Sequence, residues 1–101
     1  MRIFVRPKAS ADLEEQALFI ARDDLRIASQ LYEACERTFS DLVKMPRMGQ
    51  IYPTAKKQLV GIRFIPVSRF EKHLIFYIPQ KDHVDIVRIL YATRDIARIL
   101  K

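Results

Sequence analysis

The sequence predicts an α+β fold in the order β-α-α-β-β-β with a short closing helix, and three observations carry that prediction. Apolar residues recur at helical spacing through the first half of the chain. The spacing changes after the segment "MPRMG". Beyond it lie three runs rich in β-branched and aromatic residues, separated by short polar turns.

Taken in order, "RIFVR" alternates enough to form a short strand, which Pro7 ends. Ser10 is then expected to N-cap a helix over 11–22, with Asp12, Glu14 and Glu15 near the positive end of its dipole. Leu13, Ala17, Ile20 and Ala21 form its inward stripe. "RDDLR" interrupts the pattern, and Asp23 or Asp24 is placed to cap a second helix. There Ile27, Leu31, Cys35, Thr38 and Leu42 follow at steps of four, four, three and four. Ala34, Phe39 and Val43 widen that stripe. So short a break predicts an antiparallel helical hairpin.

Pro46 disfavours helix before it, and Gly49 permits a turn. "KQLVGIRFIPV", "HLIFYIPQ" and "VDIVRILYA" then read as strands, and the tight "KDH" turn implies an antiparallel meander. Thr93 precedes Ile96, Ile99 and Leu100 at helical spacing, which predicts a closing helix from about residue 94. One face of the resulting four-stranded sheet must receive the hairpin. The other is expected to be partly apolar, ringed by basic charge and open to another chain.

At 101 residues the chain is expected to be one domain spanning 1–101. Its single cysteine, Cys35, sits on the inward helical stripe and has no partner for an internal disulfide, so a reducing, cytoplasmic setting is expected. One cysteine and two histidines, His73 and His83, show no metal-ligand spacing, and no cofactor motif stands out. The N-terminal apolar run is too short for a signal peptide, and no stretch approaches the roughly 18 apolar residues of a membrane span. Charge is divided unevenly. Residues 1–50 carry eight Lys/Arg and eight Asp/Glu, whereas residues 51–101 carry ten against four, so the whole excess of +6 lies in the second half. Such asymmetry points to an acidic partner, either nucleic acid or an acidic protein segment.

The candidate site residues are therefore arginines in a partner-binding role: Arg63, Arg69, Arg88, Arg94 and Arg98. Arg63 and Arg88 alternate with apolar neighbours on strands, and a buried unpaired guanidinium is costly, so each must reach water, a carboxylate or a ligand. Asp85, on the same strand, is a candidate internal partner for Arg88. Arg94 and Asp95 are candidates for a structural pair at the strand-to-helix junction, with Arg98 one turn further on. Tyr77 is expected to pack with its hydroxyl satisfied. For Tyr91, packing and partner contact both stay open. His73 is a general base by type, but no neighbouring pattern tunes it, and a surface position is expected.

At "MPRMGQ", "GIRFIPV", "LIFYIP" and "VDIVRILYATRD", the chain resembles the ParE branch of the RelE/ParE superfamily of type II toxins. The likeness runs from "PKASADLEEQALFIA" to the terminal helix and lies in the order and spacing of the segments. It implies a small sheet with an α-hairpin on one side and a toxin neutralised by a cognate antitoxin in a hetero-complex. ParE members are understood to poison DNA gyrase, leaving cleaved DNA trapped, whereas RelE members cut messenger RNA on the ribosome. RNA cleavage by 2′-hydroxyl attack needs a base, cations for the developing charge and an acid. Leu74 stands where RelE-type enzymes often carry arginine, and Ile99 and Leu100 stand near the expected late tyrosine. Arg94 alone matches a basic position. The resemblance therefore implies a gyrase inhibitor with no catalytic residues. The alternative is a RelE-like ribosome-dependent endoribonuclease drawing on His73 or Tyr91.

Overall fold

In the computed structural model, which describes residues 1–100, a five-stranded sheet carries a helical hairpin on one face. The elements are β1 (Arg2–Val5), α1 (Pro7–Ala21), α2 (Leu25–Lys44), β2 (Gln50–Ile51), a 3-10 turn (Lys57–Leu59), β3 (Arg63–Val67), β4 (Phe70–Pro79), β5 (His83–Tyr91) and α3 (Ile96–Ile99). The sheet order is β1-β5-β4-β3-β2. The expected antiparallel meander of β3, β4 and β5 is present, while β1 joins β5 in parallel. A fifth strand, β2, adds only two residues to the far edge.

Helix α1 begins earlier than its cap residues suggest. Pro7, not Ala11, is its first residue, and the extended Arg6 is its N-cap. Proline has a fixed φ and no N–H, so it fits the first helical position better than the serine three residues on. The Ser10 N–H already bonds to the Arg6 carbonyl within the helix. The second helix follows expectation, with Asp24 accepting from the Arg26 and Ile27 N–H groups at 2.9 and 3.3 Å. "KQLVGIRFIPV" is only half a strand. Gly61 takes φ +82, so the chain turns there and extended structure starts at Arg63. The closing helix is shorter than its apolar spacing implies, and Asp95 caps it.

Two cores result. The hairpin buries Leu13, Leu31, Cys35 and Leu42 against Ile75, Tyr77, Ile86 and Ile89. Burial pushes the Cys35 thiol up to about 12, which leaves it unreactive. The opposite sheet face is where the structure departs most from expectation. It is not left for another chain. Leu59, Ile62 and Leu100 cover Phe76, Val87 and Leu90, and Tyr52, Phe64 and Phe76 pack ring to ring at 5.5–6.1 Å. The chain folds its own 3-10 turn and α3 over that face. Exposed apolar side chains instead lie elsewhere, with Leu18, Phe19 and Leu25 more than 60% accessible around the hairpin.

Gly49 has a different role from the expected turn. Its N–H donates to the hydroxyl of fully buried Tyr77 at 2.8 Å. A Cβ there would lie 2.5 Å from that oxygen and 2.9 Å from the Phe64 carbonyl. Close approach therefore demands glycine. Gly49→Ala is expected to cost about 1–3 kcal/mol in urea unfolding. In a double-mutant cycle with Tyr77→Phe the combined cost should fall somewhat below the sum of the single costs, because Tyr77→Phe removes one of the three atoms that the new Cβ strikes while the ring carbon at 2.7 Å and the Phe64 carbonyl remain.

Candidate partner-binding surface

Parallel pairing of β1 with β5 ends at Ile86, and the Arg6 N–H makes the last bond, to the Ile86 carbonyl at 3.0 Å. Beyond it the outer edge of β5 faces α1 instead of a strand. Two side chains one helical turn apart complete that edge. Asp12 accepts from the Ile89 N–H at 3.1 Å, and the Gln16 amide donates to the Ile89 carbonyl at 2.8 Å. The helix thus supplies the bonds that a neighbouring strand would have made.

These side chains also organise the local charge. Asp12 takes a two-pronged hydrogen bond from Arg88 at 2.7 and 2.9 Å, mostly out of solvent. The expected Asp85–Arg88 pair is absent, because Asp85 is held by Arg6 at 2.7 and 3.0 Å. Asp85 and Arg88 lie on one sheet face although they are three residues apart. A register shift opposite Phe76 and Tyr77 leaves Val87 as an extra residue between them. Both guanidinium groups are held above their ordinary pKa, first by hydrogen bonding to their carboxylates and against the effect of burial.

His73 is not on the surface. It is 8% accessible, and its Nδ1 lies 2.6 Å from Gln16 Oε1. Because the Gln16 amide nitrogen donates to Ile89, its oxygen is the acceptor, so His73 carries its proton on Nδ1. The ring packs edge-on to Tyr91 at 4.9 Å. Both border a cavity of about 530 Å³ with Glu15, Phe19 and Ile20. Arg94 lies 3.7 Å from exposed Glu15 at the rim of this cavity.

The five predicted arginines do not converge on one spot. Arg63 opens β3 and donates to the Arg47 and Gly49 carbonyls at 3.2 and 2.8 Å, clamping the loop after α2. Arg88 is committed to Asp12. Arg69 and Arg94 lie at the opposite end of the sheet from Arg63, near the β3–β4 turn and beyond β5, and both are exposed. Arg94 reaches towards Glu15, not towards Asp95, whose carboxylate caps α3. Arg69 has φ +71, a left-handed conformation that favours glycine. Arg98 is exposed on α3. Asp12, Gln16 and Arg6 were missed in the sequence. The available signal was a polar pair at i and i+4 beside the apolar stripe Leu13, Ala17, Ile20.

Among the described residues, no three His, Cys, Asp or Glu side chains are arranged to hold a metal ion, and no helix is long and apolar enough to cross a membrane. A sequence profile described as the ParE toxin of the type II toxin-antitoxin system parDE matches residues 3–96. No curated protein matches the chain. A solved chain from the chromosomal ParDE TA system of P. aeruginosa superposes with a TM-score of 0.69 at 17% identity, covering 90% of this chain and 95% of that one. At that identity the likeness is one of fold.

Two outcomes test this geometry. Asp12→Ala strands the Arg88 guanidinium and the Ile89 N–H together, and should lower stability by about 2–3 kcal/mol in urea unfolding. Burial lowers the His73 pKa below its ordinary 6.5. The unfolded chain therefore takes up the proton first on acidification, so the His73 contribution is constant well above pH 6.5 and is lost as pH falls towards the lowered folded value. The urea midpoint of His73→Gln, compared with the natural chain across that window, should lack this part of the slope.

Proposed function

The chain belongs to the ParE toxin family of type II toxin–antitoxin systems, and from that premise we propose that it arrests growth by poisoning DNA gyrase. It acts in the cytoplasm, traps cleaved DNA on the enzyme, and is neutralised in a hetero-complex with its cognate antitoxin. One observation carries the choice of gyrase over RNA cleavage. Leu74, Ile99 and Leu100, at the positions where RelE-type chemistry would need functional side chains, pack into the second apolar core. They have no proton to give or take. The net charge of +6 supports an acidic partner or a DNA-bound target, with long-range attraction speeding the encounter.

Within this reading Arg69, Arg94 and Arg98 are the contact residues, since each stands in solvent, while Arg63 and Arg88 hold the surface in shape. The positive φ at Arg69 supports its selection, because an exposed turn that keeps arginine where glycine fits better retains it for contact.

A second reading, ribosome-dependent cleavage of messenger RNA, draws on the pairing of His73 with Tyr91 beside one cavity. It would use His73 as base and Arg94 for the phosphate.

Purified chain is expected to block gyrase supercoiling and to accumulate cleaved plasmid. Untouched gyrase with cleavage of ribosome-bound messenger RNA, lost in Arg94→Ala, would establish the second reading instead. Arg69→Gly makes a finer test. It should leave stability unchanged or raise it by up to about 1 kcal/mol, while weakening gyrase inhibition several-fold. Full potency in that variant would remove Arg69 from the contact.

A further inference from the structure

The second half of α1, the start of β4 and the end of β5 enclose the cavity of about 530 Å³ that the gyrase reading leaves unused. Phe19 and Ile20 wall it from the helix. His73 and Tyr91, directly opposite one another on paired strands, wall it from the sheet. Phe19 is 68% accessible, so its ring belongs to neither core. His73 is the buried polar member. Its Nδ1–H is committed to the Gln16 oxygen, and burial keeps the ring neutral, so Nε2 carries a lone pair. Nε2 takes no hydrogen bond from the described residues, yet no unpartnered side-chain nitrogen or oxygen among them is sealed from solvent. A buried imidazole thus offers an open acceptor beside an apolar cavity. We propose that this cavity binds a free, planar heteroaromatic molecule of the indole class, its ring against Phe19 and Tyr91 and its N–H donating to His73 Nε2. The site is independent of both the gyrase and the antitoxin readings.

The side chains present select that chemistry. Three rings, Phe19, His73 and Tyr91, border the space, and aromatic partners gain from stacked and edge-on contacts beyond the area they bury. A ring without a donor would strip water from Nε2 and return nothing. An indole N–H only donates, whereas a phenol hydroxyl brings oxygen lone pairs that need partners of their own. Gln16 cannot supply one, because its amide is spent on Ile89 and His73. For the same reason the free ring fits better than a tryptophan side chain. The backbone amides of a peptide would arrive at a mouth where Gln16 is spent and Glu15 faces Arg94.

The chain contains no tryptophan, so indole emission can be read free of protein background when tyrosine is not excited. On titration with the full chain, that emission should move to shorter wavelength and saturate. N-methylindole keeps the ring but lacks the donor, and should bind about tenfold more weakly. Phe19→Ala removes an exposed ring, so the circular dichroism spectrum should persist while indole affinity falls several-fold. N-acetyltryptophanamide should bind more weakly than indole. The inference is overturned by the lack of a saturable shift, by equal affinity for indole and N-methylindole, or by unchanged affinity in Phe19→Ala. Binding of N-acetyltryptophanamide as tight as that of indole would also overturn it, by assigning the cavity to a protein side chain.

Discussion

Strand β5 has a strand neighbour on its outer side only as far as Ile86, and the fold depends on how α1 replaces that neighbour further along. An unpaired N–H and C=O beside a buried strand would cost several kcal/mol together. Asp12 and Gln16 meet the two groups of Ile89 from consecutive turns of one helix face. This fixes the rotation and height of α1 on the sheet, so the stripe of Leu13 and Ala17 has one seat. Further consequences radiate from the same contacts. Asp12 draws Arg88 to the edge, and Gln16 orients His73 through its remaining oxygen.

The edge closure also decides which charges remain for other molecules. Asp12 and Asp85 are consumed by Arg88 and Arg6. Arg63 spends its hydrogen bonds on backbone carbonyls of the loop that Tyr77 also holds. Of the candidate arginines, Arg69, Arg94 and Arg98 are left in solvent, at positions that do not form one cluster. In the proposed reading the chain is met both by a target and by an antitoxin. Separated positive regions allow the two encounters to use different surfaces.

Much of the architecture was legible because period and composition change together near Pro46. The helical stripes, an aspartate cap at 23 or 24 and the β3–β5 meander follow from local pattern alone. The parallel placement of β1 did not, since strand pairing across 80 residues leaves no local trace. Nor did the covering of the second sheet face by Leu59 and Leu100, two residues from segments with weak periodicity. Among the candidate residues, arginine spacing marked the side chains but not their partners. Arg88 braces the edge-closing Asp12 because α1 brings that carboxylate to it, and His73 is buried beside Gln16 and Tyr91. Gly49 resembled ordinary turn chemistry, although the tyrosine that requires it lies 28 residues away.

Amide hydrogen exchange at Ile89 tests the replacement of a strand by a helix most directly. No strand lies beyond its N–H, so only the Asp12 carboxylate can shield that proton. The expected result is exchange as slow as in the central strand β4, accelerating by orders of magnitude in Asp12→Ala while β4 amides stay protected under conditions where that variant remains folded. Rapid exchange at Ile89 in the natural chain, at the rate of exposed loops, would contradict it.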